Sequence, residues 1–467
     1  WTAKDFEKMD SIFRRSSLYR EKWDKKHGNF TYGYQTLMKA IQDCKDVFQP
    51  FSLNLSEEVL KGSKKPRKQF SYDDMGNTER FLYTFYTNVL YSYGNRCWYY
   101  WNNKYWTEDT LGKIYEMADF VANNILKEPV YVSDPNDEKL VEEARKNLEK
   151  HAKYTRNVKG KKNMVEDVQH HVSIEQNLFD SYGNLFNTHN GYIDLNTRTL
   201  MDHETGKNKY FTRISNAEYN PNASCPRWEM FLNEIFQGDK ELIDYLQRAV
   251  GYSLSNDTTE QVMFILLGNG RNGKSVLLNL LNEVFGSYAM NIQPQTIAIK
   301  SGAQSANQDI ARLKGARFVT TTEPNRGMKL DEGTVKQITG GDTVTARFLY
   351  GKEFEFKPEF KLWMATNYKP IISGTDEGIW RRMVLIPFGY MIPDDKVDKK
   401  LTFKLKEELS GILNWCLEGY KKWKEHGLSE EPLIIAEQRH DYRSEMDIIE
   451  RFLIENCITE SHREEKF

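Results

Sequence analysis

Residues Val262–Gly286 read VMFILLGNGRNGKSVLLNLLNEVFG, and this stretch decides the fold. Its centre, GNGRNGKS from Gly268 to Ser275, fits the phosphate-loop pattern G-x-x-x-x-G-K-[ST]. The apolar run before the loop has the length of a strand that is buried on both faces. After the loop, apolar side chains recur at helical spacing, and Gly286 can cap the helix. This order of strand, glycine loop and helix favours a nucleotide site over a chance glycine turn.

The loop also predicts the chemistry of the site. Glycines allow backbone N–H groups to converge on phosphate oxygens, and the helix N-terminus adds a positive partial charge. Lys274 would reach the β- and γ-phosphates and Ser275 would ligate Mg²⁺, so ATP and Mg²⁺ are the expected cofactors. The predicted ATP-binding residues are Gly268, Asn269, Gly270, Arg271, Asn272, Gly273, Lys274 and Ser275.

The composition is that of a globular chain with ample core material. Of its 467 residues, 28% are charged and 13% aromatic, and the length predicts about two to four domains. No run approaches the roughly 20 apolar residues of a membrane span. The five cysteines form no C-x-x-C pair, which fits a reducing compartment and argues against a zinc module. We therefore expect a cytoplasmic protein, in the bacterial host if a phage or plasmid encodes it.

The first residue is Trp1, so we expect a fragment of a longer protein, and this N-terminus supports no targeting argument. The net charge of −2 neither requires nor excludes nucleic acid, because a local basic surface can hold DNA. Basic residues concentrate at Lys61–Lys68 and at Arg145–Lys162, where a helix predicted at Glu138–His151 is followed by an expected loop. Each run is either a solvated surface or a DNA contact.

Composition divides the chain before the phosphate loop into four segments. Residues 1–50 predict a helical connector, and residues 51–77 a linker rich in Lys, Ser, Pro and Gly. Residues 78–225 predict an α+β domain, and residues 226–260 a pair of amphipathic helices that lead into the phosphate-loop strand.

Two short features lie inside the predicted α+β domain. Turn residues at Asn102-Asn103 and Asn190-Gly191 lie between strand-like stretches and predict hairpins. His170 and His171 are adjacent, which is poor spacing for metal ligands, so we interpret them as structural or surface residues.

Two strands after the phosphate loop end in residues suited to hydrolysis. The stretch ARFVTTT, residues 316–322, precedes Glu323. An acidic residue at the carboxyl end of a core strand can hold Mg²⁺ or polarise the attacking water, although it can also be a surface residue. The stretch FKLWMAT, residues 360–366, precedes Asn367, whose amide could sense the γ-phosphate and orient water.

Two further stretches predict contacts beyond the nucleotide. The sequence KQITGGDTVTARFLYGKEFEF, residues 336–356, ends in two alternating strands and predicts a hairpin with Lys352 at its tip. Lys352 and Arg347 are the predicted DNA-binding residues. Arg381 and Arg382 precede the strand MVLIPF and are candidates for an arginine finger, with ordinary exposed arginines as the alternative.

Taken together, these stretches resemble the helicase part of phage and plasmid primase–helicases and their poxvirus-type relatives, in helicase superfamily 3 of the AAA+ class. Residues 262–390 carry the resemblance through GNGRNGKS, DIARLKGARFVTTTEP, KQITGGDTVTARFLYGKEFEFKPEFKLWMATNYKP and GTDEGIWRRMVLIPF. Residues 78–260, including NGYIDL and AVGYSLS, are similar to the domain that precedes the motor in that family. The leader IFRRSSLYREKWDKKHGNFTYGY resembles the connector after a primase–polymerase domain, which would lie upstream of Trp1.

The resemblance implies a ring, commonly a hexamer, with ATP between subunits. It assigns Lys274 and Ser275 to the phosphate loop, Glu323 to the second Walker motif, Asn367 to the sensor, and Arg381 or Arg382 to the finger that acts in trans. The lysine-tipped hairpin would grip DNA in the central channel. One departure is that Thr322, rather than a second acidic residue, precedes Glu323. Metal binding would then depend on Ser275, Glu323 and water.

The predicted fold is α/β. It comprises an AAA+ motor with a parallel sheet at 261–395, preceded by the α+β domain and helical lead-in, and followed at 396–467 by a short helical segment and the start of a winged-helix-like region. The predicted function is that of an ATP-driven, ring-forming DNA helicase that tracks along single-stranded DNA during replication of a phage or mobile element. Its expected partners are single-stranded and forked DNA, other copies of itself and the upstream primase–polymerase domain.

Two rival functions stay open. One is an origin-binding initiator or loader without processive unwinding, and the other is a P-loop NTPase that is not a helicase. Priming by this chain itself is rejected, because polymerase metal sites usually show a D-x-D pair and none occurs in the sequence.

Overall fold

The computed structural model describes residues 9–10, 13–14, 21–27, 30–43, 69–299, 308–322, 326–347, 353–374 and 376–447. The chain divides into two units. Unit 1 comprises Trp1–Tyr100 and Glu108–Ile174, and unit 2 comprises Trp101–Thr107 and Glu175–Phe467.

Helices dominate the described part of unit 1, and five of them are α1 Tyr32–Asp43, α2 Asp74–Phe85, α3 Lys113–Asn124, α4 Glu138–Thr155 and α5 Val158–Val168. The strands before residue 110 are β1 Lys26–His27, β2 Phe30–Thr31, β3 Val89–Ser92, β4 Cys97–Trp101 and β5 Trp106–Glu108. The core of unit 1 lies where α2, α3 and α5 bury apolar side chains, among them Phe81, Ile114, Val121 and Met164.

Helix capping explains where α2 and α4 begin. The Asp73 carboxylate accepts the Gly76 N–H at 2.7 Å, and the Asp137 carboxylate accepts the N–H groups of Lys139 and Leu140. Helix α2 therefore begins at Asp74, inside the segment predicted as a linker. Residues 51–68 of that segment lie outside the described residues.

The basic stretch Arg145–Lys162 begins in the helix predicted at Glu138–His151, which is confirmed, but the part after His151, predicted as a loop, is mostly helical, so that expectation was wrong. It covers the second half of α4, a tight corner and the start of α5. The reason is amphipathic spacing: Leu148, His151, Ala152 and Thr155 face inward on α4, while the basic residues cover the outer face.

Unit 2 begins with a hairpin of β6 Leu185–Thr188 and β7 Gly191–Asp194, followed by the short strand β8 Leu200–Met201. Thr188 lies opposite Gly191, so His189 and Asn190 form the connection: the predicted hairpin is confirmed, with its turn one residue earlier than Asn190-Gly191. At Asn102, the N–H donates to the Tyr105 carbonyl at 3.2 Å, which confirms the turn predicted there.

A five-stranded parallel sheet is the centre of unit 2, in the order β10-β11-β14-β9-β15. Along β9, Phe264 and Leu266 enter one hydrophobic cluster, while Met263 and Ile265 enter the other. The sheet is therefore covered on both faces, as an all-parallel sheet requires. The strands are β9 Met263–Leu267, β10 Ala289–Asn291, β11 Phe318–Thr322, β14 Lys361–Thr366 and β15 Met383–Pro387; β12 Val344–Arg347 and β13 Glu353–Phe356 form a separate antiparallel pair.

The described helices of unit 2 are α6 Pro226–Ile235, α7 Lys240–Tyr252, α8 Lys274–Phe285, α9 Gln308–Ala311, α10 Glu332–Thr339, α11 Glu377–Trp380, α12 Leu401–Lys406, α13 Leu409–His426 and α14 Leu433–Met446. Helices α7 and α13 touch backbone to backbone through two glycines. A Cβ on Gly251 would lie 2.0 Å from the Tyr420 nitrogen, and one on Gly419 would lie 1.9 Å from the Gln247 oxygen. Only glycine fits at either position.

At the amino edge of the sheet, where its strands begin, two of the buried cations are Arg317 and Lys361. Arg317, just before β11, donates to the backbone carbonyls of Leu254, Tyr182 and Leu185, the last at 2.8 Å. Its guanidinium also lies 4.8 Å from the centre of the Tyr288 ring.

Lys361, the second of these two cations, is the first residue of β14. Its Nζ donates to the carbonyls of Ser255 and Glu359 and lies 4.5 Å from the Tyr252 ring centre. Burial, followed by the charge of Arg317, holds the pKa of Lys361 well below its usual range.

The fold is thus mixed α/β with a five-stranded parallel sheet and flanking helices. Its assignment to the AAA+ class, the segment boundaries and the winged-helix start near the C-terminus stay predictions. Within the described ranges, no helix is both long and apolar enough to cross a membrane.

Candidate nucleotide-binding site

The predicted phosphate loop joins the carboxyl end of β9 to the first residue of α8, Lys274. Gly270 and Gly273 have φ of +93° and +86°, a region that favours glycine. Arg271 has φ of +46°, which is uncommon for a residue with a side chain. The loop therefore turns sharply before the helix, as a loop that wraps a phosphate must.

Gly268 lies where the loop is pressed against its neighbours. A Cβ there would lie 2.2 Å from Nδ2 of Asn272 and 2.3 Å from the Phe388 carbonyl oxygen. Its N–H donates to the Thr366 carbonyl at 3.2 Å. The residues present thus fit a phosphate cradle, because glycines allow this close approach of backbone groups.

Lys274 is buried, with only 6% of its surface exposed. Its Nζ donates to the Gly268 carbonyl at 2.6 Å, to Oδ1 of Asn272 at 2.9 Å and to Oδ1 of Asn367 at 3.2 Å. Two predicted site residues far apart in the sequence, Lys274 and Asn367, are therefore brought together. These oxygens surround the ammonium group that would otherwise meet phosphate oxygens.

Asn272 has a role that its position in the motif did not reveal. Its Oδ1 accepts from Lys274, and its Nδ2 donates to the Phe388 carbonyl at 3.0 Å. One buried side chain thus ties the lysine to the segment that follows β15. The motif leaves this position unspecified, so the sequence carried no signal for the contact.

Asn367 is aimed by a turn at the end of β14. The Thr366 hydroxyl donates to the Tyr368 carbonyl at 2.6 Å and accepts the Tyr368 N–H at 3.0 Å. Thr366 also lies opposite Leu267 in the pairing of β14 with β9. Strand register and turn together place the Asn367 amide beside the phosphate loop.

Ser275 and Asn269 are exposed, so the Ser275 hydroxyl in the first turn of α8 is open to solvent and to a cation. Arg271 points away from the loop and forms an ion pair with Asp394. Among the described residues, no three His, Cys, Asp or Glu side chains cluster as metal ligands. Glu323, the predicted second magnesium ligand, lies outside those residues, so the Mg²⁺ site stays a prediction.

The predicted DNA hairpin is described except at its tip. Strands β12 and β13 pair antiparallel, with Arg347 opposite Glu353 at the end next to the tip. Arg347 is exposed. Lys352 lies outside the described residues.

The two candidate finger arginines have different surroundings. Arg382 is buried and donates to the Thr339 hydroxyl at 3.2 Å, to the Gly378 carbonyl and to Oε1 of Gln261 at 3.3 Å. Burial, and then the charge of Arg381, lowers the pKa of Arg382. Arg381 is exposed and donates to Gln261 at 2.8 Å.

Both arginines lie at the amino edge of the sheet, because β15 begins at Met383. The phosphate loop lies at the carboxyl edge, roughly 17 Å away for a strand of this length. The structure therefore does not bring Arg381 or Arg382 to the phosphate loop of the same chain.

Three family models match the chain. One described as D5 N terminal like matches residues 78–237, a family of unknown function matches residues 266–382, and the NrS-1 polymerase HBD domain matches residues 1–50.

Viral proteins are similar to about half of the chain. "Putative helicase L207/L206" of Acanthamoeba polyphaga mimivirus is 32% identical over 241 residues, which is 48% of this chain and 25% of that protein. "Putative primase C962R" of African swine fever virus is 30% identical over 217 residues, which is 44% of this chain and 22% of that protein. The matches thus span about a quarter of the length of these relatives.

Among solved structures, the C-terminal region of NrS-1 in an A-form apo structure matches with a TM-score of 0.50 and 11% identity. That match covers 79% of this chain and 74% of the other chain. This likeness concerns the fold alone. The sequence matches to viral proteins named putative helicase and putative primase make the chain a relative of the primase–helicase family.

Proposed function

We propose that this primase–helicase relative is an ATP-dependent DNA helicase that forms a ring and translocates on single-stranded DNA during replication of a phage or other mobile element. The observation that carries the proposal is the convergence of Lys274 and Asn367 on a glycine loop at the carboxyl edge of a parallel sheet. Ligands of open α/β sheets bind outside the carboxyl ends of the strands. The AAA+ assignment is part of this proposal, and the position of β9 inside the sheet, between β14 and β15, supports it.

Nucleotide binding would exchange the partners of Lys274. Backbone N–H groups of the loop and the N-terminus of α8 would hold the phosphates, and the Lys274 ammonium would turn from Gly268, Asn272 and Asn367 toward them. Release of Asn367 would free its amide to orient the attacking water. Bound Mg²⁺, held by Ser275 and Glu323, would supply a Lewis acid for the developing phosphoryl charge.

The placement of the arginines supports hydrolysis between subunits. Arg381 is exposed at the edge opposite its own phosphate loop, so it can reach a nucleotide only on another copy. Arg382 donates its hydrogen bonds to Thr339, Gly378 and Gln261, and its role would be to position Arg381. We therefore propose Arg381, rather than Arg382, as the trans finger.

The hairpin would carry the DNA contact. Lys352 and Arg347 would hold the phosphate backbone, and nucleotide-driven movement of the hairpin would advance the strand. Contacts to the backbone alone predict binding that weakens with salt and is largely indifferent to sequence.

The first test is steady-state ATP hydrolysis across subunit concentration, with and without single-stranded DNA, followed by unwinding of a forked duplex. We expect hydrolysis to rise cooperatively with concentration and again with DNA, and the fork to be unwound. DNA-stimulated hydrolysis without unwinding would instead support a loader. Hydrolysis linear in protein and insensitive to DNA would support a P-loop NTPase of another kind.

Mixed rings test the shared interface. Arg381→Ala and Lys274→Ala subunits should each be inactive alone, and mixing them should restore hydrolysis by pairing an intact loop with an intact finger. Mixtures that stay as inactive as either parent would contradict the assignment of Arg381.

A further inference from the structure

We propose that unit 1 carries a second nucleic-acid contact, separate from the hairpin: the corner between α4 and α5 binds the phosphate backbone. We name this surface the basic corner and define it by four residues, Lys150, Lys153, Arg156 and Lys159. All four are exposed, and they lie within ten residues of chain.

The corner is built to a fixed shape. Helix α4 ends at Thr155 and α5 begins at Val158, so only two residues connect them. A Cβ on Gly160 would lie 2.7 Å from the Tyr154 carbonyl oxygen and 2.8 Å from the Thr155 Cα. Glycine therefore lets the first turn of α5 pack directly on the end of α4, and the four cations are held on one rigid surface.

Among the described residues of unit 1, no neighbouring acid forms an ion pair with the cations of the basic corner. On either side of it, cations are paired: Lys146 with Glu142 at 2.7 Å, and Lys161 with Asp119 at 2.6 Å. Paired cations thus flank a corner whose positive charge is left for an external anion.

Helix stability does not explain this arrangement. Lys153 and Arg156 at the end of α4 suit the negative end of that helix. Lys159, however, lies in the first turn of α5, which contains no acidic residue, where a cation opposes the positive end of the helix. Asn157 makes no side-chain capping bond there either. Both features cost helix stability and both favour a bound anion, since backbone N–H groups and the lysine face the same solvent.

The geometry favours a polyanion over a single small anion. Lys150 and Arg156 are six residues apart, which is about 9 Å along a helix axis, and Lys159 extends the surface past the corner. No side chain in the corner is enclosed, and the apolar residue at its centre, Val158, is 78% exposed. A surface of spaced, exposed cations suits repeated phosphates, which lysine and arginine contact without reading sequence.

The inference stands apart from the proposed ATPase, because it rests on unit 1 alone. The test uses the full chain without nucleotide and a fluorescein-labelled oligonucleotide of random sequence, as single strand and as duplex. Anisotropy titrations between about 50 and 200 mM KCl give the slope of log affinity against log salt. The variant is Lys150→Ala/Lys153→Ala/Arg156→Ala/Lys159→Ala, and the matched control removes four exposed lysines elsewhere, Lys399, Lys400, Lys421 and Lys424.

In the corner variant, the slope of log affinity against log salt should be smaller in magnitude by about three. Each phosphate contact contributes roughly 0.7–0.9 to that slope, and four cations are removed. Affinity should fall at least about tenfold at low salt, while DNA-free ATP hydrolysis and the circular dichroism spectrum stay unchanged. Lys150→Arg/Lys153→Arg/Lys159→Arg keeps the charge and should bind as the parent does. The control variant should keep the parent slope.

Two outcomes would overturn the inference: equal slopes for the corner variant and the control, or displacement of DNA by poly-glutamate as readily as by unlabelled DNA. The second would indicate an acidic protein partner. Absence of ATP hydrolysis in every variant, with the slope change intact, would refute the proposed helicase and leave the basic corner standing.

Discussion

The two edges of the parallel sheet both bury positive charge, and they hold it in different ways. At the carboxyl edge Lys274 is 6% exposed, and at the amino edge Arg317 and Lys361 are 3% and 2% exposed. Burial therefore does not distinguish them. Their partners do.

Lys274 bonds to two side-chain amides, which a rotamer change can withdraw, and to one backbone carbonyl of the glycine loop. Arg317 and Lys361 bond to carbonyls of the main chain, fixed by strands and turns elsewhere in unit 2. A buried cation whose partners can move away is able to bind a ligand instead, whereas a cation with fixed partners stabilises the fold. The following changes test that contrast, from the largest expected effect to the smallest.

Arg317→Met should lower the free energy of unfolding by more than any other change proposed here. Three carbonyls from the segments at Tyr182, Leu185 and Leu254 would lose their donor in a buried site, and each buried acceptor left unsatisfied costs about 1–3 kcal/mol of unfolding free energy. Chemical denaturation monitored by circular dichroism measures the loss. Arg312→Met, at an exposed arginine, is the control and should cost far less. If the two variants lost the same amount of unfolding free energy, Arg317 would not be a cation that stabilises the fold.

Lys274→Ala should act on hydrolysis and spare the fold. Loss of the cation that meets the phosphates should lower kcat at least about 100-fold, or about 2.7 kcal/mol, while the unfolding midpoint stays close to that of the parent. Steady-state hydrolysis and thermal unfolding provide the two readings. Undiminished turnover would refute the site, and a collapse in stability would make Lys274 a structural cation like Arg317.

Asn272→Ala should have an intermediate effect. The lysine would lose one acceptor and its link to Phe388, a single hydrogen-bonded position worth about 1.4 kcal/mol, or tenfold in kcat/KM. Asn272→Asp keeps the acceptor but removes the donor to Phe388, so comparing the two variants separates the contacts. Both variants matching the parent in kcat/KM would show that Asn272 does not position Lys274.

Lys361→Met should have the smallest effect of the four changes: it should remove a dependence of the unfolding free energy on pH. Because the pKa of Lys361 is lowered in the folded chain, the unfolded chain binds more protons between that value and the ordinary 10.5. The unfolding free energy of the parent should therefore rise with pH through this window, by at most about 1.4 kcal/mol per pH unit. The variant should lack that rise. Parallel melting curves from neutral to alkaline pH would contradict it.

The carboxyl edge was largely predictable from sequence, and the amino edge was not. The strand, loop and helix around Lys274 are contiguous, and Asn367 directly follows an apolar strand, so local pattern located both. Arg317 precedes a strand and Lys361 begins one, positions where a charged residue would ordinarily be exposed. What buries them is main chain from distant segments, such as the Leu185 and Ser255 carbonyls, and no local pattern encodes such partners.

The same limit explains the basic stretch and the arginine pair. The sequence showed a run of cations at Arg145–Lys162 but not the Gly160 contact that folds it into two helices. It showed two adjacent arginines but not that only one of them is exposed. In both cases the residue types were readable, while their surroundings depend on packing across the chain.

The reciprocal contact of Gly251 and Gly419 has a consequence for how sequences on this fold can diverge. Each glycine faces the main chain of the other helix, so a methyl group at either position would force α7 and α13 apart. Once the helices were parted, the second glycine would face empty space and be free to mutate as well. The two positions should therefore vary together, so that related sequences with this fold have glycine at both positions or at neither.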